Sequence, residues 1–283
     1  MIQVEQLRFR YQGQQQDSIK DISFAVEPGE IFGFLGPSGA GKSTTQKILI
    51  KLLQHYQGQV QLLGKELRQW DHRLFEQVGV GFELPNHYAK LTARENLQFF
   101  ASFYACPHLR TEELLRRTGL EPDANKPLSQ FSKGMRMRLN FVRALMHRPK
   151  LLFLDEPMSG LDPGNARILK DLLLEEKARG TTIFITTHSM PDAEELCDRV
   201  AFMVEGALVL IDSPQALKLR YGQPRLALST LEHPQPRYFD LQQLGQNQAF
   251  LNILQTETVQ TLHSQEAHLE EIFLLTTGKK LQG

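Results

Sequence analysis

Cysteine is nearly absent: two residues, Cys106 and Cys197, stand far apart in the chain. Neither belongs to a disulfide framework or a metal-ligand spacing, so both read as reduced thiols of a cytosolic protein. Net charge is lacking too. Lys plus Arg number 32 and Asp plus Glu number 32, so no overall field draws the chain to nucleic acid or an anionic membrane surface. No nucleic-acid partner is expected. Long apolar runs are missing as well: Val200 to Ile211 is interrupted by Glu205 and Gly206 and is too short to cross a bilayer. Met1-Ile2-Gln3-Val4 alternates like a strand and is not a basic segment leading into an apolar one, so no secretion signal is read. These absences predict a soluble chain. What remains is ordinary globular material, 41% hydrophobic and 23% charged over 283 residues. That length suits one main domain with a smaller appendage.

Val4 to Phe9 and Ser18 to Val26 alternate apolar and polar residues, predicting antiparallel edge strands joined by the Gln12–Gln16 turn. Ile31 to Leu35 is continuously apolar, as in a buried parallel strand. Ile48, Leu49, Leu52 and Leu53 then repeat at helical spacing. From about Leu91 to Pro149 the pattern is mainly helical, with Phe99, Phe100 and Phe103 on one face and Pro107, Pro122 and Pro127 as breaks. Further buried strands are read at Leu151 to Leu154 and Thr182 to Thr186, separated by an amphipathic helix over Asn165 to Lys177. The expected fold class is α/β: a mainly parallel sheet, an antiparallel β subdomain, and a helical insertion at about 85–145. After Tyr221, Gln223-Pro224 and His233-Pro234-Gln235-Pro236 bracket a short strand, Leu226 to Leu228. A helix follows over Glu266 to Leu275, with Gly278 as its stop. The domains expected are 1–220 and a small α+β appendage, 221–283.

Gly36-Pro37-Ser38-Gly39-Ala40-Gly41-Lys42-Ser43-Thr44 fits G-x-x-x-x-G-K-[ST] between a predicted strand and a predicted helix. Glycines let the backbone curl round a phosphate, and amides at a helix start supply positive charge. Lys42 is expected on the β- and γ-phosphates, and Ser43 on Mg²⁺. In Leu151-Leu152-Phe153-Leu154-Asp155-Glu156, an apolar strand ends in Asp155. Asp155 is placed to hold Mg²⁺ through water, and Glu156 to polarise the attacking water as general base. ATP or GTP with Mg²⁺ is therefore expected.

The segment Phe131-Ser132-Lys133-Gly134-Met135-Arg136 resembles the signature motif of the ATP-binding-cassette (ABC) family, and it lies ahead of Asp155. The other motifs follow in that family's order over about residues 4–215. The resemblance implies a P-loop NTPase core and ATP as substrate. It gives Tyr11 to the adenine ring. Ser132 and Gly134, with Lys133 and Met135 beside them, go to the ATP held by a second subunit. Ser159-Gly160-Leu161-Asp162 resembles the loop coupling two ATP sites, which gives Asp162 that role, and His188 resembles the histidine that contacts the γ-phosphate. Glu83 stands where most members carry glutamine, and a metal-proximal role is expected for it. Lys133 and Met135 also depart from the usual signature; Lys133 is expected to point away from the nucleotide.

The resemblance further implies a separately encoded multi-span membrane subunit and a second ATPase subunit, as a homodimer closing on two ATP molecules at the cytoplasmic face of the membrane. The membrane subunit is expected at Leu84 to Phe103. There Phe99, Phe100 and Phe103 read first as core, and His87, Tyr88 and Lys90 as exposed contacts. His268 to Gly278 resembles the terminal segment of ATPase subunits of drug, lipid and antibiotic exporters. Export is therefore preferred; import, or a soluble ABC ATPase, is the alternative. No guanine-reading N-K-x-D pattern follows, since Asn125-Lys126-Pro127-Leu128 lacks the Asp.

Overall fold

The computed structural model describes residues 1–105, 110–222, 225–265 and 267–279. Cys106, Pro107, the Gln223-Pro224 link and the Glu266 helix start lie outside them. The chain divides into two compact units, Met1–Asp212 and Ser213–Lys280. The sequence put this boundary at 220/221. The division falls earlier because the helix Pro214–Tyr221 packs against the last helix of the chain, within the second unit.

In the first unit, strands β1 (Ile2–Phe9), β2 (Ile19–Val26), β4 (Gln57–Leu62) and β5 (Lys65–Glu66) form an antiparallel sheet of order β2-β1-β4-β5. Strand β1 is internal to it rather than an edge. A second sheet runs β10-β9-β3-β8-β7-β6, from β3 (Ile31–Leu35), β6 (Val78–Gly81), β7 (Leu151–Asp155), β8 (Thr182–Thr187), β9 (Arg199–Val204) and β10 (Ala207–Asp212). Its pairings are parallel except the β9–β10 hairpin, which turns at Glu205 and Gly206. Strands β3 and β8 are buried along their whole length, which is why they read as unbroken apolar or Thr-flanked runs. Phe24 from the first sheet meets Phe32, Phe34 and Phe184 of the second at ring separations of 5.1–6.2 Å. Each such ring contributes roughly 1.5–3 kcal/mol by leaving water.

Helix α1 (Lys42–Leu49) packs on β7 and β8. Leu52 and Leu53 fall beyond its end, and Leu52 is exposed, so the helical repeat read through them stops early. The insertion holds α2 (Ala93–Ala101), α3 (Thr111–Arg117) and α4 (Lys133–Leu145). A reciprocal Thr92–Glu95 capping box starts α2. The Ser132 hydroxyl accepts from Met135 N at 3.2 Å to start α4. Helix α4 runs close over β6: a Cβ on Gly79 would lie 2.2 Å from the Ala144 carbonyl oxygen, so this crossing requires glycine. Helices α5 (Pro163–Ala178) and α6 (Met190–Leu196) complete the unit, α6 packing on β3.

The second unit holds α7 (Pro214–Tyr221) and a sheet of order β12-β11-β13, from β11 (Arg225–Thr230), β12 (Arg237–Asp240) and β13 (Val259–Gln265). Helix α8 (Gln248–Thr256) sets Phe250 and Ile253 against Leu226 and Leu228. Helix α9 (Leu269–Thr277) ends at Gly278, whose left-handed backbone (φ 66°) closes the last turn. The Glu257 carboxylate accepts from Thr230 Oγ1, Arg237 and His233. The Thr230 bond first, then Arg237, holds it down at about 2.

Candidate functional site

The C-terminal ends of β3, β7 and β8 converge on a cavity of about 810 Å³. Its floor is Ser38 to Gly41, the end of the loop that begins at Gly36, and the start of α1. A Cβ on Gly36 would lie 2.1 Å from the Met203 carbonyl oxygen, and one on Gly41 would lie 2.9 Å from that of Ser18. Gly41 also takes φ 111° as the N-cap, where no side chain among the described residues caps α1. The first amides of α1 therefore stand ready for an anion.

Lys42 is nearly buried, its Nζ donating to Gly36 O at 2.6 Å and Pro37 O at 3.2 Å. Burial lowers its pKa, and the Glu156, Asp155 and Glu83 carboxylates oppose that shift. An ammonium held by two carbonyls at the foot of a glycine loop fits a polyphosphate. Ser43 Oγ donates to Asp155 Oδ1 at 3.1 Å, and Thr186 Oγ1 donates to the same oxygen. A hydroxyl and a carboxylate side by side are a hard-oxygen donor set of the kind Mg²⁺ takes with water and phosphate.

Glu156 follows at the sheet edge, where its amide donates to Thr186 O at 2.9 Å and its backbone sits at φ 46°. That left-handed conformation costs about 1–3 kcal/mol. It aims the carboxylate into the cavity, where Oε2 accepts from Thr187 Oγ1 at 3.0 Å and Oε1 lies 2.8 Å from His188 Nδ1. His188 is half exposed, and Glu83 lines the same cavity. Tyr11 stands at the rim. Its hydroxyl is 3.2 Å from Thr44 Oγ1 and its ring meets Phe9 edge to face at 4.8 Å.

Ser38, Gly39, Ala40, Gly41, Lys42, Ser43, Thr44, Glu83, Glu156, His188 and Tyr11 thus share one cavity. Gly36 and Pro37 give the carbonyls that hold Lys42, and Asp155 is joined through Ser43. The Ser132 group is absent from the residues lining it. Ser132, Lys133, Gly134 and Met135 form the start of α4, where Leu161 lies against Gly134 and the Lys133 side chain against Gly160. Asp162 caps α5 through Asn165 N at 3.0 Å. Sequence reasoning missed Thr186 and Thr187, which steer the two carboxylates, and Gln14, Gln16, Asp17 and Lys20 at the rim. The adjacent threonines just before His188 were the available signal.

Two expectations about the insertion are corrected. Phe99 and Phe103 are not core; they are 39% and 65% exposed. They cluster with Tyr88 and half-buried Phe100, because α2 buries the face carrying Ala93, Asn96 and Leu97 instead and ends at Ala101, before Phe103. His87, read as an exposed contact, instead has both ring nitrogens buried. An apolar groove of about 490 Å³ is lined by Phe100 and Phe103 together with Leu52 and Phe75.

Compared with known proteins, residues 19–159 match the ABC transporter family model, and 230–266 match the C-terminal domain of a fluoroquinolone efflux ABC transporter. The chain is 48% identical to a fluoroquinolones export ATP-binding protein of Mycobacterium tuberculosis, over 99% of this chain and 94% of that one. It is 32% identical to the bacitracin transport ATP-binding protein of Bacillus licheniformis, over 95% and 83%. A solved ATP-binding subunit of an ABC transporter superposes with TM-score 0.71 at 30% identity, covering 78% of this chain and 93% of that one. With such identity running through almost its whole length, the chain belongs to the ABC transporter family, as an ATP-binding, ATP-hydrolysing subunit.

Proposed function

We propose that this subunit hydrolyses Mg·ATP at the cavity between α1 and β8 to drive export of a drug of the fluoroquinolone class through a separate membrane subunit. The observation that carries the chemistry is the fixing of Glu156 by Thr187 and His188, across from Lys42. The export reading rests on the full-length likeness to a fluoroquinolones export protein and on the match in the second unit.

In this reading Lys42 and the loop amides bind the terminal phosphates, while Tyr11 stacks on adenine. Ser43 and Asp155 hold Mg²⁺, with Glu83 close by. The metal, when bound, withdraws charge from the phosphate oxygens. Glu156 orients the attacking water and takes its proton; His188 steadies Glu156 and reaches the γ-phosphate. Ser132, Lys133, Gly134 and Met135 lie outside the cavity, which suits a second copy: they would close over the ATP of the partner, with Asp162 coupling the two sites. The aromatic groove beside Phe103 would take a helix of the membrane subunit, leaving the chain peripheral at the cytoplasmic face. Among the described residues no helix is long and apolar enough to cross a membrane.

The test is drug accumulation in cells carrying this chain with its membrane subunit. Intracellular fluoroquinolone should fall relative to cells carrying Lys42→Ala. Equal accumulation in both would remove this cargo, while ATP turnover by the purified complex would still report on the ATPase reading.

A further inference from the structure

We propose that Asn140 and Arg143 are positioning residues that tie the Glu83 loop to α4, the helix that begins at Ser132. Residues 82–87 belong to neither helix nor strand, so the placement of Glu83 needs an anchor from elsewhere. Helix α4 supplies two. Asn140 Nδ2 donates to the carbonyl of Phe82 at 2.8 Å, the residue just before Glu83. Arg143 Nη1 donates to the carbonyl of Asn86 at 3.2 Å, just past Pro85. The two grips are themselves joined, since Arg143 Nη2 donates to Asn140 Oδ1 at 2.7 Å. The loop is thus held on both sides of Glu83 by residues one helical turn apart.

The surroundings make this a stiff connection. Asn140 is buried and its amide is used at both ends. The Arg143 guanidinium also lies over the Phe100 ring, 4.7 Å from its centroid, on the wall of the apolar groove. Burial, with the Arg143 guanidinium beside it, pushes the His87 imidazole down to about 4. It therefore adds no competing charge next to the arginine. Close packing carries the link on to the sheet, because α4 crosses β6 at Gly79 with no room for a side chain. One rigid helix therefore bears the Ser132 group at its start and holds Glu83 of its own cavity further along.

The proposal rests on the metal-proximal role given to Glu83 above. Steady-state ATP turnover by the full chain, purified with its membrane subunit, tests it as a cycle of Asn140→Ala, Glu83→Ala and the double variant. Asn140→Ala should lower kcat about five- to tenfold, the worth of one net hydrogen bond, with KM for ATP within about twofold. In the Glu83→Ala background the same change should leave kcat where it is. Arg143→Lys keeps the cation but loses the fork, and should give the same pattern with a smaller drop; it carries the test if Asn140→Ala does not fold. An equal drop in both backgrounds would make Asn140 a packing residue and overturn the proposal, as would an unchanged kcat in Asn140→Ala. If Glu83→Ala alone leaves kcat unchanged, the role given to Glu83 is what fails, and the positioning claim falls with it.

Discussion

Arg110 and Glu176 form an ion pair whose side chains are only 4% and 3% exposed, with Nη1 and Oε1 2.7 Å apart. It joins the segment leading into α3 to α5, so it fastens the helical insertion to the core. Breaking a buried pair by removing one partner typically costs about 3–5 kcal/mol, because the other charge stays buried without compensation. Here each survivor keeps some help. Arg110 retains a two-pronged contact with Glu113, at 3.0 and 2.8 Å, and Glu176 retains Arg179 at 2.6 Å. The cost expected for Arg110→Leu or Glu176→Leu is therefore about 2–4 kcal/mol, lowering Tm by roughly 5–12 °C. The double variant removes both buried charges and should come back to within about 1 kcal/mol of the parent. Trp70, the sole tryptophan, sits half-buried in the first unit and donates to Leu62 O at 3.0 Å. Its fluorescence therefore follows the unfolding of that unit. A single variant melting within 2 °C of the parent, or a double variant as unstable as either single, would refute this reasoning.

Thr187→Val should free one Glu156 oxygen and lower kcat about tenfold while ATP affinity holds, read from turnover against equilibrium nucleotide binding. Glu113 is held down from 4.5 to about 2, chiefly by its hydrogen bonds to Arg110. A depressed carboxylate adds stability that is present above pH 4.5 and is lost as pH falls from there towards 2. Urea midpoints of Glu113→Gln should accordingly depend less on pH across that window than those of the parent. Phe103→Asp, at an exposed position, should shift stability by no more than about 0.5 kcal/mol. It should still abolish co-purification with the membrane subunit.

The gathering of the glycine loop, Lys42 and Ser43 at one cavity was legible because these residues are contiguous: glycines where a Cβ would strike Met203 and Ser18, then Lys42 and Ser43. Asp155 and Glu156 were legible for a similar reason, since an apolar strand ending in acids places them at a sheet edge. What escaped were groups whose role depends on long-range contact. Thr186 and Thr187 look like ordinary strand residues until β8 lies beside β7. Asn140 and Arg143 look like parts of an amphipathic helix until the Glu83 loop folds onto them. Periodicity also misplaced Phe99 and Phe103, because a one-sided aromatic stripe has the same pattern whether it faces a core or a groove. Helix α7, likewise, carries no mark in its sequence that it will pack on α9.

The most direct test of the central claim is the mass and bound nucleotide of Glu156→Gln after incubation with Mg·ATP, by light scattering with quantified ATP. A dimer retaining unhydrolysed ATP, one per copy, is expected, with turnover lowered by roughly 10²–10⁴-fold. A monomer that keeps no ATP, or a variant that turns over at the parent rate, would contradict it.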